Sequence, residues 1–148
     1  MINLTIDGQN TTVLPGTTIL KAANDLGIDI PNLCYDKDLT LEASCRMCVV
    51  EVDGFRNLPP ACATEVAEGM VVHTESEKVV EARKLILELL IANHPLDCMI
   101  CEKAGDCRLQ DYCYRYGVRD SSFMGERKRF ELDSANDLIE RDQEKCIL

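Results

Sequence analysis

Eight side chains that commonly bind metals fall into two groups with short internal spacings. The first donor group follows the pattern Cys-x10-Cys-x2-Cys-x13-Cys and consists of Cys34, Cys45, Cys48 and Cys62. The second donor group follows the pattern His-x3-Cys-x2-Cys-x5-Cys and consists of His94, Cys98, Cys101 and Cys107. Thiolate and neutral imidazole are ligands of zinc and of iron–sulfur centres. The sequence therefore predicts two metal centres with separate ligands.

The first donor group has the four thiolates that a 2Fe–2S cluster needs, two for each iron. Cys45 and Cys48 can converge from one tight loop, and the small residues Ala43 and Ser44 would let backbone N–H groups approach the cluster. Hydrogen bonds from such groups raise a reduction potential because they stabilise the electron-rich state. A structural zinc site is the main alternative, but zinc usually takes two closely spaced pairs of ligands and only one is present here. Four buried cysteines without a metal are a further alternative.

The second donor group lies within fourteen residues, so one compact loop could surround a single centre. A 4Fe–4S cluster with one histidine ligand is one interpretation, and a zinc ion bound by three cysteines and one histidine fits equally well locally. His94 could also be a histidine at a helix end without a ligand role. If it binds iron, its neutral imidazole should raise the potential relative to a thiolate ligand.

Two cysteines lie outside both groups. Cys113 is predicted to be a packed thiol on a helix, with a ligand role as the alternative, and Cys146 is not counted as a ligand. The chain has nine cysteines, an odd number, and no secretory signal is recognisable at its start, so a disulfide framework is not expected. The surface histidine His73 is expected to have no role.

Composition narrows the functional class. The formal charge is −10, from 26 acidic and 16 basic residues, which disfavours nucleic acid as a partner. No apolar run reaches the ~18 residues of a membrane span, so direct membrane insertion is not expected. We predict a cytoplasmic protein. No Gly-rich nucleotide loop and no nucleophile with a plausible base are present, so no catalytic residue is assigned.

The first half of the chain predicts a small mixed sheet with one helix packed across it. Residues 2–6 and 9–14 alternate around the turn at Asp7-Gly8, which indicates a hairpin. A helix capped by Thr17 or Thr18 should follow, and its apolar face consists of Ile19, Ala22, Ala23 and Leu26. Further strands are predicted at 47–52 and 70–73.

The second half predicts helices. Thr74-x-x-Glu77 is a capping-box pattern, and the helix that it begins should end near Asn93, before Pro95. Its predicted apolar face consists of Val79, Ala82, Ile86, Leu89 and Leu90. A shorter helix is expected at about 105–116, and residues 117–136 are expected to be irregular.

Three stretches around the donor groups carry a family resemblance: Ala43–Val52, Leu58–Thr64 and Asn93–Gln110. They resemble the N-terminal iron–sulfur region shared by the large iron–sulfur subunit of NADH:quinone oxidoreductase, iron-only hydrogenases and NAD-linked formate dehydrogenases. The resemblance implies an α+β protein, with a β-grasp ferredoxin-like 2Fe–2S domain followed by a small helical His/Cys 4Fe–4S domain. This family often has glycine where this chain has Ala43, and many members have proline in place of Met99.

The resemblance also implies a cofactor content and a role. It implies one 2Fe–2S cluster on the first donor group and one 4Fe–4S cluster on the second. The expected domains are 1–76, 77–117 and an extended segment at 118–148, whose last eight residues resemble the start of a further cluster module. The expected function is single-electron transfer, without catalysis, between a flavin or NAD(H) partner and a second redox partner, which is a hydrogenase, a formate dehydrogenase or a quinone-linked complex. The expected partners are other subunits of a multi-subunit oxidoreductase, namely flavin- or NAD(H)-binding subunits and further iron–sulfur subunits. A zinc-stabilised interaction module is the alternative from another class, and a redox sensor is a third.

Overall fold

The computed structural model describes residues 1–123 and 125–147. The chain divides into two compact units, Met1–Arg83 and Lys84–Leu148. The first unit contains a four-stranded sheet and one complete helix. The second contains a helix and a two-stranded hairpin, and helix α2 (Glu77–Asn93) begins in the first unit and ends in the second. No helix among the described residues is long and apolar enough to cross a membrane.

The sheet of the first unit has the strand order β2-β1-β4-β3. Strands β1 (Ile2–Ile6) and β2 (Gln9–Val13) form the predicted antiparallel hairpin, with Ile6 opposite Gln9. Strand β4 (Met70–His73) runs parallel to β1, and the short strand β3 (Glu51–Val52) runs antiparallel to β4. The parallel pair therefore lies at the centre of a mixed sheet, as the β-grasp prediction requires.

Helix α1 (Ile19–Asp25) completes this domain. Thr18 caps it as predicted, because its hydroxyl oxygen accepts a hydrogen bond from the Lys21 N–H. Its buried residues Ile19, Leu20, Ala22 and Ala23 belong to the same core as apolar side chains from β1, β3 and β4. The predicted α+β fold class is confirmed.

The chain before β3 differs from the prediction. A strand was expected at 47–52, but only its last two residues join the sheet. The preceding residues bond to another segment instead: the Val50 N–H donates to the Pro59 carbonyl at 3.1 Å, and the Ala61 N–H donates to the Cys48 carbonyl at 2.9 Å. This pairing brings the segment that carries Cys48 alongside the segment that carries Cys62.

Helix α2 has a different cap and a different buried face from those predicted. The Ser76 hydroxyl accepts from the Val79 N–H, whereas the buried Thr74 donates both its N–H and its hydroxyl to the Asp7 carboxylate. The prediction of Leu89 on the apolar face was wrong, since half of that side chain is exposed. The residues that are buried repeat every four positions: Val79, Arg83, Leu87 and Ile91.

The second unit is built around helix α3 (Arg108–Tyr116), which begins three residues later than expected and ends at Gly117 in the left-handed conformation. A short 3-10 turn at Cys98–Ile100 precedes it. The expectation that 117–136 is wholly irregular was wrong at its end. Strands β5 (Asp133–Asn136) and β6 (Ile139–Arg141) form an exposed antiparallel hairpin there.

Candidate metal centres

The first donor group comes from three segments of the first unit, two of which are paired by backbone hydrogen bonds. Cys45 and Cys48 lie on the loop before β3, and Cys62 lies on the segment paired with that loop. The first two N–H groups of α1, those of Ile19 and Leu20, donate to carbonyls on either side of Cys62. Cys45, Cys48 and Cys62 are buried and Cys34 is half-buried. None of the four is in a disulfide.

The four sulfurs meet as two pairs. The side chains of Cys34 and Cys45 interact through a hydrogen bond, and so do those of Cys48 and Cys62. The two pairs also interact with each other electrostatically, because Cys34 and Cys45, as well as Cys48, raise the pKa of the Cys62 thiol. All four predicted ligands of the first donor group therefore lie in one place.

Backbone N–H groups point at these sulfurs. Cys34 accepts from the N–H groups of Ser44 and Cys45, and the Cys45 sulfur accepts from the N–H of Met47. Burial alone would raise the pKa of the Cys34 thiol, but hydrogen bonds from Cys45 and Ser44 outweigh burial and hold that pKa below its ordinary value. The loop thus favours negative charge at Cys34.

The pKa values of the deeper thiols are shifted in the opposite direction. Burial raises the pKa of the Cys45 thiol despite its amide donors. Burial and the neighbouring cysteines, Cys48 foremost, raise the pKa of Cys62 to about 12. Thiolates packed this closely repel one another, so all four can be ionised together only beside a cation that neutralises them. A metal centre with several positive charges fits this donor set.

The loop around Cys45 is strained. Ala43 has a φ of 51° and Arg46 a φ of 60°, both in the left-handed region that residues other than glycine rarely adopt. Strained backbone of this kind concentrates at functional sites, where the surrounding structure holds it in place. Here the strained residues lie in the same loop as the amide groups that donate to the sulfurs of Cys34 and Cys45.

The second donor group lies in the second unit, between the end of α2 and the start of α3. The Cys101 N–H donates to the Cys98 carbonyl across the 3-10 turn, and the Ala104 N–H donates to the Cys101 carbonyl. Gly105, at a φ of 83°, supports the turn that leads into Cys107. Cys107 is the N-cap of α3, and its side chain makes no capping hydrogen bond. The positive end of the helix dipole therefore lies beside a sulfur available to a metal.

One cleft of the second unit is lined by all four members of the second donor group, including His94. The Nδ1 atom of His94 is buried and has no hydrogen-bond partner among the described residues. Burial is the main cause that lowers the pKa of His94, which favours the neutral imidazole that binds metals. A buried nitrogen without a partner is costly, and a metal ion would supply the missing interaction.

Cys113 is closer to this group than the sequence indicated. It lines an apolar cavity of about 350 Å³ together with His94, Cys98 and Cys107. Burial, followed by the neighbouring Cys107 and Cys98, raises the pKa of the Cys113 thiol. The predicted packing role suits its position on the inner side of α3, next to the buried Leu109.

Sequence reasoning missed one residue that contacts the loop of the first donor group. Arg83 is completely buried and donates hydrogen bonds to the carbonyls of Met47 and Val49, on either side of Cys48. Its spacing in the sequence indicated only that it shares the buried face of α2, and not what it contacts there. Arg83 lies four residues from both Val79 and Leu87, so an inward-facing stripe of α2 includes a charged residue.

The fold and the two donor groups are those of an iron–sulfur protein. Residues 1–77 match the family described as a 2Fe-2S iron-sulfur cluster binding domain, and this chain belongs to that family. Residues 83–122 match the iron-sulfur binding region of NADH-ubiquinone oxidoreductase-G. The predicted family resemblance is confirmed.

Similar proteins are subunits of larger oxidoreductases. The chain is 49% identical over its whole length to the NADP-reducing hydrogenase subunit HndD of Solidesulfovibrio fructosivorans, of which it covers 26%. It is 52% identical over 88% of its length to an NADH-quinone oxidoreductase subunit of Rhizobium meliloti, covering 15% of that protein. It is 43% identical over its whole length to the NADPH-Fe(3+) oxidoreductase subunit alpha of Geobacter sulfurreducens, covering 18% of it. The chain thus spans about a quarter or less of these relatives.

A solved structure shares the fold. In the crystal structure of an NAD+-reducing NiFe-hydrogenase in the H2-reduced state, one chain superposes with a TM-score of 0.91 at 34% identity. The match covers 99% of this chain and 62% of that chain.

The strain at Ala43 can be relieved by substitution. Ala43→Gly removes the Cβ that disfavours a φ of 51°, so we expect the free energy of unfolding to rise by about 1 kcal/mol. The measurement is the midpoint of anaerobic urea unfolding. Ala67→Gly is the matched control, because Ala67 is exposed and lies outside the left-handed region. The control should unfold at slightly lower urea, and an equal decrease in both variants would contradict the assignment of strain to Ala43.

Proposed function

We propose that this chain carries two iron–sulfur clusters and forms the electron-transfer segment of an NAD(P)-linked oxidoreductase. One 2Fe–2S cluster is bound by the first donor group, which consists of Cys34, Cys45, Cys48 and Cys62. One 4Fe–4S cluster is bound by the second donor group, which consists of His94, Cys98, Cys101 and Cys107. Membership of the 2Fe–2S family and the match of residues 83–122 support both assignments.

One observation carries the proposal: each donor group comes together within its own unit. The four sulfurs of the first group meet as two pairs, which is the arrangement that two irons with two thiolates each require. The four members of the second group line one cleft, with a buried imidazole nitrogen unpartnered in the described part of the chain.

The zinc alternative is less well supported than the cluster assignment. Residues 1–77 match a 2Fe-2S iron-sulfur cluster binding domain, and residues 83–122 match an iron-sulfur binding region. Structural zinc usually takes two closely spaced pairs of ligands, whereas the first donor group contains only one such pair, Cys45 and Cys48. In a 2Fe–2S cluster the ligands divide into two pairs, one for each iron.

The chain's own residues would hold the clusters and set their potentials. Iron–sulfur clusters accept and release single electrons at potentials that depend on charge, hydrogen bonding and burial. The amide groups of Ser44, Cys45 and Met47 donate toward the first centre, which stabilises added negative charge there. In the second centre the neutral His94 takes the place of a negatively charged ligand, which also raises the reduction potential.

The remaining elements of the proposal concern context. We assign no catalytic residue, so electrons must come from and go to centres elsewhere, such as flavin- or NAD(H)-binding and further iron–sulfur subunits. The relatives include subunits of hydrogenases and NADH-quinone oxidoreductases, which supports such partners. The cysteines of both donor groups form no disulfide bonds, which suits a reducing compartment such as the cytoplasm. The domain bounds 1–76, 77–117 and 118–148 stay a prediction.

Metal content tests the proposal. Two clusters of these types require about six irons and about six inorganic sulfides per chain. Protein purified anaerobically should be brown, and iron, zinc and acid-labile sulfide should be measured on the same sample. A colourless protein with zinc and no sulfide would contradict the electron-transfer assignment and favour the interaction module.

Substitution of His94 tests the ligand set of the second centre. His94→Cys should still assemble four irons, but the added negative charge should lower the potential of the 4Fe–4S signal. His94→Ala should leave one iron without a protein ligand and speed the loss of the cluster in air. A redox titration followed by paramagnetic resonance, with His73→Ala as the control, measures both effects. Unchanged potential and unchanged stability in air in both His94 variants would show that His94 is not a ligand.

A further inference from the structure

Arg83 is a completely buried cation in the first unit, at the point where α2 passes the loop of the first donor group. Arginine keeps its positive charge in proteins even when it is removed from water. Burying a charge is costly unless hydrogen bonds and an opposite charge compensate for it. Each of the hydrogen bonds that Arg83 makes therefore indicates what holds it there.

The guanidinium group holds the backbone on both sides of Cys48. Its Nε donates to the Met47 carbonyl at 3.1 Å, and its Nη2 donates to the Val49 carbonyl at 2.9 Å. The carbonyl of Cys48 itself accepts from the Ala61 N–H at 2.9 Å. Three successive carbonyls around this cysteine are thus fixed by hydrogen bonds.

These contacts orient the peptide groups of the loop. In a trans peptide the C=O and the following N–H point in opposite directions. Because the Met47 carbonyl points at Arg83, the N–H of Cys48 points away from it. The planar guanidinium donates in a fixed fork, so it can set the directions of two peptide planes together. A lysine could not reproduce that arrangement with one ammonium group.

The charge of Arg83 faces a carboxylate that is much more exposed to water than the guanidinium is. The Arg83 Nη1 donates to the Glu75 carboxylate at 2.9 Å, and that glutamate side chain is 43% exposed, whereas the arginine side chain is 0% exposed. Water screens the carboxylate more strongly than it screens the buried cation. The field of Arg83 therefore acts mainly on its buried surroundings, which include the peptide groups flanking Cys48.

We propose that Arg83 is a positioning residue of the 2Fe–2S centre, which fixes the backbone around Cys48 and whose buried charge raises the reduction potential of that centre. A nearby positive charge stabilises the reduced state, which carries one more negative charge than the oxidised state. This inference rests on the proposed function. It adds a residue outside both donor groups that determines how firmly the cluster is held and how readily it is reduced.

Four variants of the full chain test the two effects separately. Arg83→Gln removes the charge, and Arg83→Lys keeps the charge while losing the fork. Lys84→Gln is the matched control, because it removes the same charge from an exposed position on the same helix. Glu75→Gln removes the negative charge that opposes Arg83. The two readouts are the midpoint potential of the 2Fe–2S paramagnetic signal and the rate at which a chelator removes its iron.

We expect Arg83→Gln to lower the potential, Glu75→Gln to raise it by a smaller amount because water screens that carboxylate, and Arg83→Lys to leave it near the wild-type value. Iron release should be faster than wild type in both Arg83 variants, and Lys84→Gln should change neither readout. If Arg83→Gln retains no cluster, the increase in potential in Glu75→Gln and the faster release in Arg83→Lys still test the proposal.

Two results would overturn the inference. The first is a potential that is the same as wild type in Arg83→Gln and Glu75→Gln. The second is iron release at the wild-type rate in both Arg83 variants. Failure of the proposed function would look different, because the wild-type protein would then contain no 2Fe–2S signal to titrate.

Discussion

The structure depends on one constraint, which is that placing several thiolates close together in a buried space costs free energy. Burial and the neighbouring cysteines raise the pKa of Cys62 to about 12, whereas at Cys34 the effect of burial is outweighed by hydrogen bonds from Cys45 and Ser44, which hold the pKa of that thiol below its ordinary value. Backbone donors, a buried arginine and the positive charge of a metal centre all act against that cost. The left-handed conformations of Ala43 and Arg46 lie in the loop that supplies those backbone donors. Local strain is thus found where charge compensation is needed.

The second unit meets the same requirement with fewer charges. In the ligand set proposed for it, the imidazole of His94 takes the place of one thiolate, so only three sulfurs need compensation. Cys107 lies at the N-terminus of α3, where the helix dipole favours negative charge. Cys113 adds a thiol beside Cys98 and Cys107 within an apolar cavity. The two units therefore reach comparable chemistry through different local structures.

Much of this arrangement is predictable from the sequence, because ligand spacing and apolar periodicity are local signals. The fold class, the hairpin at Asp7-Gly8 and the cap at Thr18 are confirmed. Two of the errors arose where a distant partner decides the structure. Thr74 bonds to Asp7 and leaves Ser76 to cap α2, and residues 48–50 pair with the segment before Cys62 and not with the sheet. A charged residue on a buried stripe gives no such local signal, so the contacts of Arg83 required the folded chain.

The central claim is that two separate ligand sets bind two different clusters. Paramagnetic resonance of the dithionite-reduced protein tests it most directly, on wild type and on the variants Cys45→Ser and Cys98→Ser. The account predicts that Cys45→Ser loses the 2Fe–2S signal and keeps the 4Fe–4S signal, and that Cys98→Ser does the reverse. Loss of both signals in either variant, or of neither in both, would contradict it.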